Sequence, residues 1–238
     1  MAEWFEEWFG EEYLHLYPHR NEADASHVVS LLQRSLPWQA GWRVLDVACG
    51  AGRHLSALER AGARPFGFDL SRPLLARARE NTARPLVRAD MRALPFRPAS
   101  MDLTVNLFTS FGYFAEDEEH TDAIGQMLST VRPGGWFVID FLNAEQVRSA
   151  LVPQETIRYG DTQVDIRRGI SADRRFVRKT IVLEDGRSFE ERVRLLGPDE
   201  LEGMVCAHGA RIAGRFGDYR GGPLAGGDRT ILLAQVPG

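Results

Sequence analysis

Short apolar runs and helical stripes alternate from Arg43 to about Asp140, the rhythm of βαβ units on a parallel sheet. Arg43 to Val47 reads as a buried strand running into a glycine-rich turn. Leu55, Leu58 and Ala61 then recur at helical spacing, with Gly62 where a C-cap belongs. Phe66 to Asp69 is a second strand, followed by a helix over 74–81 with Ser71 as N-cap and Pro73 in its first turn. Leu86 to Asp90 and Met101 to Leu107 supply the third and fourth strands. Ile124, Met127, Leu128 and Val131 mark one face of a helix that Pro133-Gly134-Gly135 is expected to stop, and Trp136 to Asp140 is the fifth strand.

Beyond about Leu151 the pattern changes to β-prone runs separated by turns, at Tyr159-Gly160-Asp161 and Glu184-Asp185-Gly186. Residues 175–184 and 187–196 read as a hairpin. The βαβ rhythm then returns, with a helix over 198–208 and strands over 211–216 and 229–236. The expectation is one α/β domain: a helical cap over 1–36, a core of 37–152 and 198–238, and an antiparallel β insert over 153–197 serving as lid or dimer surface.

The chain has 238 residues, between one and two domains at ~150 residues each, and enough to build a core without staples. Mean hydropathy is −0.27 and 26% of residues are charged, as in a soluble globular protein. The formal net charge of −4 gives no global field toward nucleic acid or an anionic membrane. Lys179 is the sole lysine among 29 basic residues, but the arginines are scattered among 33 acids and define no phosphate surface. Cys49 and Cys206 form neither a disulfide framework nor metal-ligand spacing, so no metal is expected. No run approaches the ~20 apolar residues of a membrane span, and the acidic, aromatic start does not read as a signal peptide; a cytoplasmic location is expected.

The chemistry concentrates in Val44 to His54. Gly50-x-Gly52 stands between strand and helix, where a ligand can touch backbone and the free N–H groups of the helix start. A dinucleotide fold wants a small residue where Leu55 stands. Asp46 would repel a pyrophosphate and suits a cationic ligand. Asp69 closes the second strand, where a carboxylate can accept from both hydroxyls of a ribose. Asp90 and Met91 end the third. His54 reads as a base or as a neighbour of the helix cap.

Asp46-x-Ala48-x-Gly50-x-Gly52, Asp69, Ala89-Asp90-Met91 and Arg132-Pro133-Gly134-Gly135 together resemble the ordered motifs of class I S-adenosylmethionine (SAM) methyltransferases, over nearly the whole chain. The resemblance implies a Rossmann-like sheet of seven strands, order 3-2-1-4-5-7-6 with only the last antiparallel, helices on both faces and SAM across its C-terminal edge. It assigns Gly50 and Gly52 to the methionine part of SAM, Asp46 to the aminoacyl moiety, Asp69 to the ribose, and Asp90 with Met91 to the adenine. Ala48, Cys49, Leu70 and Leu107 complete the implied cofactor lining.

Phe5, Phe9, Tyr13 and Tyr17 recur every four residues, with Trp4 and Trp8 beside them, a stripe suited to core or interface. The stretch from Tyr13 to Arg20 resembles the N-terminal cap of small-molecule members, which implies Tyr17 and Arg20 near SAM and Tyr13 nearer the substrate. Phe111 and Tyr113, after the fourth strand, are candidate substrate contacts. Asp218 and Tyr219, between the last two strands, lie in a loop that the family brings near its substrate. Tyr13, Tyr113 and Asp218 are the candidate catalytic residues.

The expected activity is SN2 transfer of a methyl group to a small acceptor, with SAH as product. The alternatives are a non-catalytic SAM- or SAH-binding module, an RNA methyltransferase, and a nicotinamide-dependent oxidoreductase. The absence of a basic stripe disfavours nucleic acid. A homodimer through the insert or the cap is a further expectation.

Overall fold

The computed structural model describes residues 3–17, 22–159 and 162–238. Alternation along β1 (Arg43–Val47) sets the layering: Leu45 and Val47 face one side of the sheet, Val44 and Asp46 the other. The strand is buried on both sides, as a central parallel strand must be.

Around it the βαβ units run α4 (Arg53–Arg60), β2 (Arg64–Asp69), α5 (Arg72–Asn81), β3 (Leu86–Arg88), β4 (Met101–Asn106), α6 (Asp117–Thr130), β5 (Val131–Leu142) and α7 (Ala144–Ala150). After an antiparallel segment, α8 (Pro198–Ala207), β10 (Arg211–Phe216) and β11 (Arg229–Gln235) complete the core. The seven strands lie in the order β3-β2-β1-β4-β5-β11-β10, with β11 antiparallel to both its neighbours. This is the sheet that the motifs imply.

On one side Ile124 and Met127 of α6 and Leu201 and Val205 of α8 pack on Leu45, Phe137 and Ile139. On the other, Val28, Leu31 and Leu32 of α3 (Glu22–Ser35) and Leu58 of α4 cover Val44, Leu103 and Val138. Ser71 Oγ accepts from the Leu74 N–H at 3.2 Å, the expected N-cap.

Gly67 answers a packing demand, since a Cβ there would lie 2.7 Å from Leu55 Cδ1 and 2.8 Å from Cys49 Sγ. One expectation fails at α6. The helix ends at Thr130, and Pro133-Gly134-Gly135 lies inside β5 as an irregularity, where pairing moves from Met101↔Val131 to Leu103↔Trp136.

The segment between α7 and α8 forms a second sheet, β6 (Gln154–Tyr159), β7 (Thr162–Ile170), β8 (Phe176–Leu183) and β9 (Ser188–Arg194), in that order and antiparallel throughout. It is fastened to the core where the Arg194 N–H donates to the Gly112 carbonyl at 2.7 Å and its guanidinium donates to Asp117 at 3.0 Å.

The aromatic stripe is broken at Gly10 into α1 (Trp4–Trp8) and α2 (Glu11–Leu16). The break divides the stripe between two clusters. Phe5 joins the main core, whereas Trp8 and Leu16 bury themselves against Val164, Ile166, Ile181 and Leu183 of the second sheet. Among the described residues, no helix is long and apolar enough to cross a membrane.

Candidate active site

The turn after β1 is built from left-handed residues: Ala48, Gly50 and Gly52 have φ of 57°, 55° and 83°. A Cβ on Gly50 would meet nothing within 4 Å, so the turn presents open space there. Gly52 is the N-cap of α4, whose first N–H groups therefore accompany the turn.

Asp69 ties this turn to the next helix. One carboxylate oxygen accepts from the Gly50 N–H and the other from the Ser71 N–H, both at 2.8 Å. Burial raises its pKa, while the Ser71 and Gly50 N–H groups pull it back. Each oxygen retains a further acceptor position.

Asp46 lies beneath the turn, 1% exposed, and its Oδ2 receives no hydrogen bond from the described residues. Burial, then the charge of Asp69, push its pKa up to about 8, with Arg53 opposing. A buried acid without a partner is costly to ionise, and a cation brought beside it would relieve that cost. The arrangement therefore fits a positively charged ligand and disfavours a pyrophosphate. His54, in the first turn of α4, is buried, and burial together with the charges of Arg53 and Arg229 lowers its pKa to about 3, which makes it a neutral, very weak base.

The flanking residues behave less uniformly. Asp90 carries a bifurcated ion pair with Arg92, which also reaches Glu119, and its pKa is lowered by these bonds against its burial. Met91 and Leu70 are half-buried at the edge of the core. Cys49 and Leu107 are buried, at 5% and 2% exposure, and present little surface to a ligand.

A cleft of about 520 Å³ opens between the loop after β4, α1, α7 and the second sheet. Trp4, Phe9 and Tyr113 form an aromatic wall, and Leu142, Val147 and Leu151 an aliphatic one. The second sheet contributes Val177 and Lys179 of β8 and Glu191 and Val193 of β9, alternate residues that share one face. Trp4 donates its indole N–H to the Tyr113 carbonyl at 3.3 Å, and the Tyr113 hydroxyl donates to the Thr109 carbonyl at 2.7 Å.

Cleft and glycine turn meet at Phe108. Its ring carries the Arg53 guanidinium, from the residue after Gly52, at 4.1 Å and that of Arg229 at 5.4 Å. Phe108 and Thr109 both hold left-handed backbones, φ 59° and 62°, a strained pair for side-chain-bearing residues. Asp140, fully buried at the end of β5, holds them in place. Its Oδ2 accepts from the Phe108 N–H at 2.8 Å and from the Tyr219 hydroxyl at 2.7 Å, and Oδ1 accepts from Arg229 at 2.8 Å.

Several sequence candidates stand away from the cleft. Phe111 is fully buried between Phe114, Phe141 and His120; the turn at Gly112 directs it into the core, and Tyr113 takes the cleft position instead. Tyr219 spends its hydroxyl on Asp140, where burial and the adjacent carboxylate raise its pKa. Asp218 accepts from the Arg220 and Gly222 N–H groups, which closes its own loop and lowers its pKa.

Tyr13 packs between Trp8, Phe9 and Tyr17. The Tyr17 ring lies near Tyr159, and its hydroxyl accepts from Lys179. Both rings are on the side of the second sheet, while α2 also comes alongside α5. Arg20 lies outside the described residues. Conversely, no motif in the sequence marks Asp140, Arg229, Lys179 or Glu191 as a site residue. The alternation Val177-x-Lys179 and Glu191-x-Val193 was readable, but which face it presents depends on a register set by packing.

Residues 44–135 match the family model described as a methyltransferase domain. A dTDP-3-amino-3,4,6-trideoxy-alpha-D-glucopyranose N,N-dimethyltransferase of Streptomyces venezuelae is 32% identical over 120 residues, 50% of this chain and 49% of that protein. A ubiquinone biosynthesis O-methyltransferase of Sinorhizobium medicae is 26% identical over 188 residues, 75% of this chain and 64% of that protein. The chain thus spans about half to two thirds of the length of these relatives. The crystal structure of a S-adenosylmethionine-dependent methyltransferase from Clostridium acetobutylicum ATCC 824 shares the fold, with a TM-score of 0.81 at 16% identity over 95% of this chain and 98% of that one. Among the described residues there is no cluster that could hold a metal ion.

Proposed function

We infer that this chain, a class I methyltransferase by fold and by the domain matched over residues 44–135, uses SAM to methylate a small molecule. The observation that carries the reading is the buried Asp46 carboxyl, with an oxygen unmet by the described residues, beneath a left-handed glycine turn that Asp69 secures. When bound, SAM supplies a methyl group on a sulfonium, an electrophile already activated for direct displacement.

Gly50 and Gly52 would receive its methionine part, Asp46 the cationic aminoacyl end, Asp69 the ribose hydroxyls, and Asp90 with Met91 the adenine. The cleft beside Phe108 would hold the acceptor. Tyr113, Trp4 and Phe9 would orient it, while the second sheet and α1 exclude water from above. Alignment of this kind contributes up to ~7–11 kcal/mol in favourable cases, and a base is needed only for an acceptor that enters protonated with a high pKa. The relatives named for an amino-sugar N,N-dimethylation and an O-methylation in ubiquinone biosynthesis support a small acceptor and leave both N and O open.

Calorimetry with SAM, SAH and NAD tests the cofactor. SAM and SAH should bind and NAD should not; binding of NAD alone would reject the reading. Asp69→Ala should weaken SAM by roughly 10–100-fold, the loss expected when a charged acceptor of ~1.5–3 kcal/mol is removed. An unchanged affinity would remove Asp69 from the ribose site.

A further inference from the structure

The charged residues of the cleft form a row across the second sheet. Pairing sets Arg168 opposite Lys179, and Lys179 opposite Glu191. Glu155 joins the near end of the row, where its carboxylate accepts from Arg168. The sequence of charges across the sheet is therefore minus, plus, plus, minus. Lys179 Nζ lies 3.4 Å from Glu191 Oε2, whose other oxygen accepts from the Trp8 indole at 2.6 Å. Arg229, the remaining cation among the described lining residues, is neutralised from behind by Asp140.

Among the described residues each cation on this lining thus has a carboxylate partner, and with Asp140 behind Arg229 the three cations are matched by three carboxylates. The distal part of the same sheet face, Val164, Ile166, Ile181 and Leu183, is covered by Trp8 and Leu16. Val177 and Val193, directly paired on the proximal side of the row, face the open cleft with Trp4, Phe9 and Tyr113.

We propose that this cleft selects an uncharged acceptor with a flat apolar or aromatic body and a hydroxyl or amine at its edge, and that it rejects phosphorylated acceptors. The proposal rests on the methyltransferase reading for the word acceptor. The chemistry of the cleft stands apart from it. A phosphate entering here meets two carboxylates that already occupy the arginine and lysine. To pair with either cation it must displace a carboxylate and leave it facing like charge in a partly dry site. A neutral ring loses nothing by the arrangement and gains the aromatic and valine walls. Its edge can hydrogen-bond to the charged row, which offers both donors and acceptors. Specificity then comes in part from what the cleft repels.

The test is binding of a matched pair, 2-naphthol and 2-naphthyl phosphate, to the SAH-saturated protein by calorimetry. 2-Naphthol should bind at least tenfold more tightly than the phosphate. Glu191→Gln leaves Lys179 without its acid and should narrow that ratio by about tenfold, through the phosphate arm. Val177→Trp fills the cleft from the sheet and should abolish 2-naphthol binding.

Equal or tighter binding of the phosphate, no binding by either probe, or 2-naphthol binding that survives Val177→Trp overturns the proposal. SAH titrated alone, before either probe, reports on the cofactor reading, and the probes titrated without SAH report on the cleft. A failure of one is therefore distinguishable from a failure of the other.

Discussion

Asp46 is held far from its ordinary protonation state by burial, which pushes its pKa up to about 8 from the ordinary carboxylate value of 3.8. The folded protein therefore keeps a proton on this group between roughly pH 4 and 8 that the unfolded chain has lost. A folded pKa above the unfolded one means that the contribution to stability is full below the unfolded value. It is lost as pH rises through the folded value, at up to ~1.4 kcal/mol per pH unit. Asp46→Asn removes the titration, so wild type should lose stability relative to the variant from pH 5.5 to 8.5. Urea midpoints at three pH values check this, and parallel profiles would refute it. A cationic cofactor beside the carboxyl favours its ionised form, so SAM binding at pH 7 should release a proton. Calorimetry in buffers of different ionisation enthalpy should detect that release in wild type and not in Asp46→Asn.

At the scale of elements, the loop after β4 depends on one buried pair. Asp140 is wholly buried and bonds Phe108, Tyr219 and Arg229, while Arg229 also donates to Thr109 Oγ1 at 3.1 Å. Removing one partner of such a pair leaves an uncompensated charge and costs about 3–5 kcal/mol. Arg229→Met should lower the urea-derived stability by that amount with an unchanged m-value, and Asp140→Asn in the same chain, which removes the stranded charge and keeps an acceptor for Phe108 and Tyr219, should restore much of it. A loss under about 1 kcal/mol would show that the pair does not hold the loop.

This network was not legible in the sequence. Asp140, at the end of a strand, and Arg229, 89 residues later, meet only because β11 lies antiparallel against β5. Where the determinants were local, the reading held. Val44 to Val47 alternates within one strand and the Ser71 cap needs only Leu74, while the left-handed turn from Ala48 to Gly52 is also held by the neighbouring strand through Phe68 and Asp69. It failed where a neighbouring turn chose the direction of a side chain. Gly10 divides the aromatic stripe between two clusters, and Gly112 sends Phe111 inward while Tyr113 faces the cleft.

At the scale of the whole molecule, Trp8 and Leu16 join α1 and α2 to the second sheet, while Phe5 of α1 and the whole of α3 pack on the core. Trp8, 1% exposed, packs on Phe189 with the rings tilted and their centroids 4.9 Å apart and donates to Glu191, and with Leu16 it closes a cluster whose other buried members come from β7 and β8. The core strands β1, β4 and β5 bury their side chains in separate clusters. Truncating a buried Trp costs about 3–5 kcal/mol, and in a molecule built this way the cost should fall on one unit. Trp8→Ala should therefore speed amide hydrogen exchange in α1 and β7 to β9 by about 100-fold or more, the equivalent of about 3 kcal/mol of local opening. Exchange in β1, β4 and β5 should stay within a factor of about three. Because the glycine turn lies in the core and the cleft lies under the second sheet, SAM affinity should be preserved while binding in the cleft is lost. Uniform acceleration across both sheets would mean that the two units open as one, and α1 could not then close the cleft independently of the fold that holds the glycine turn.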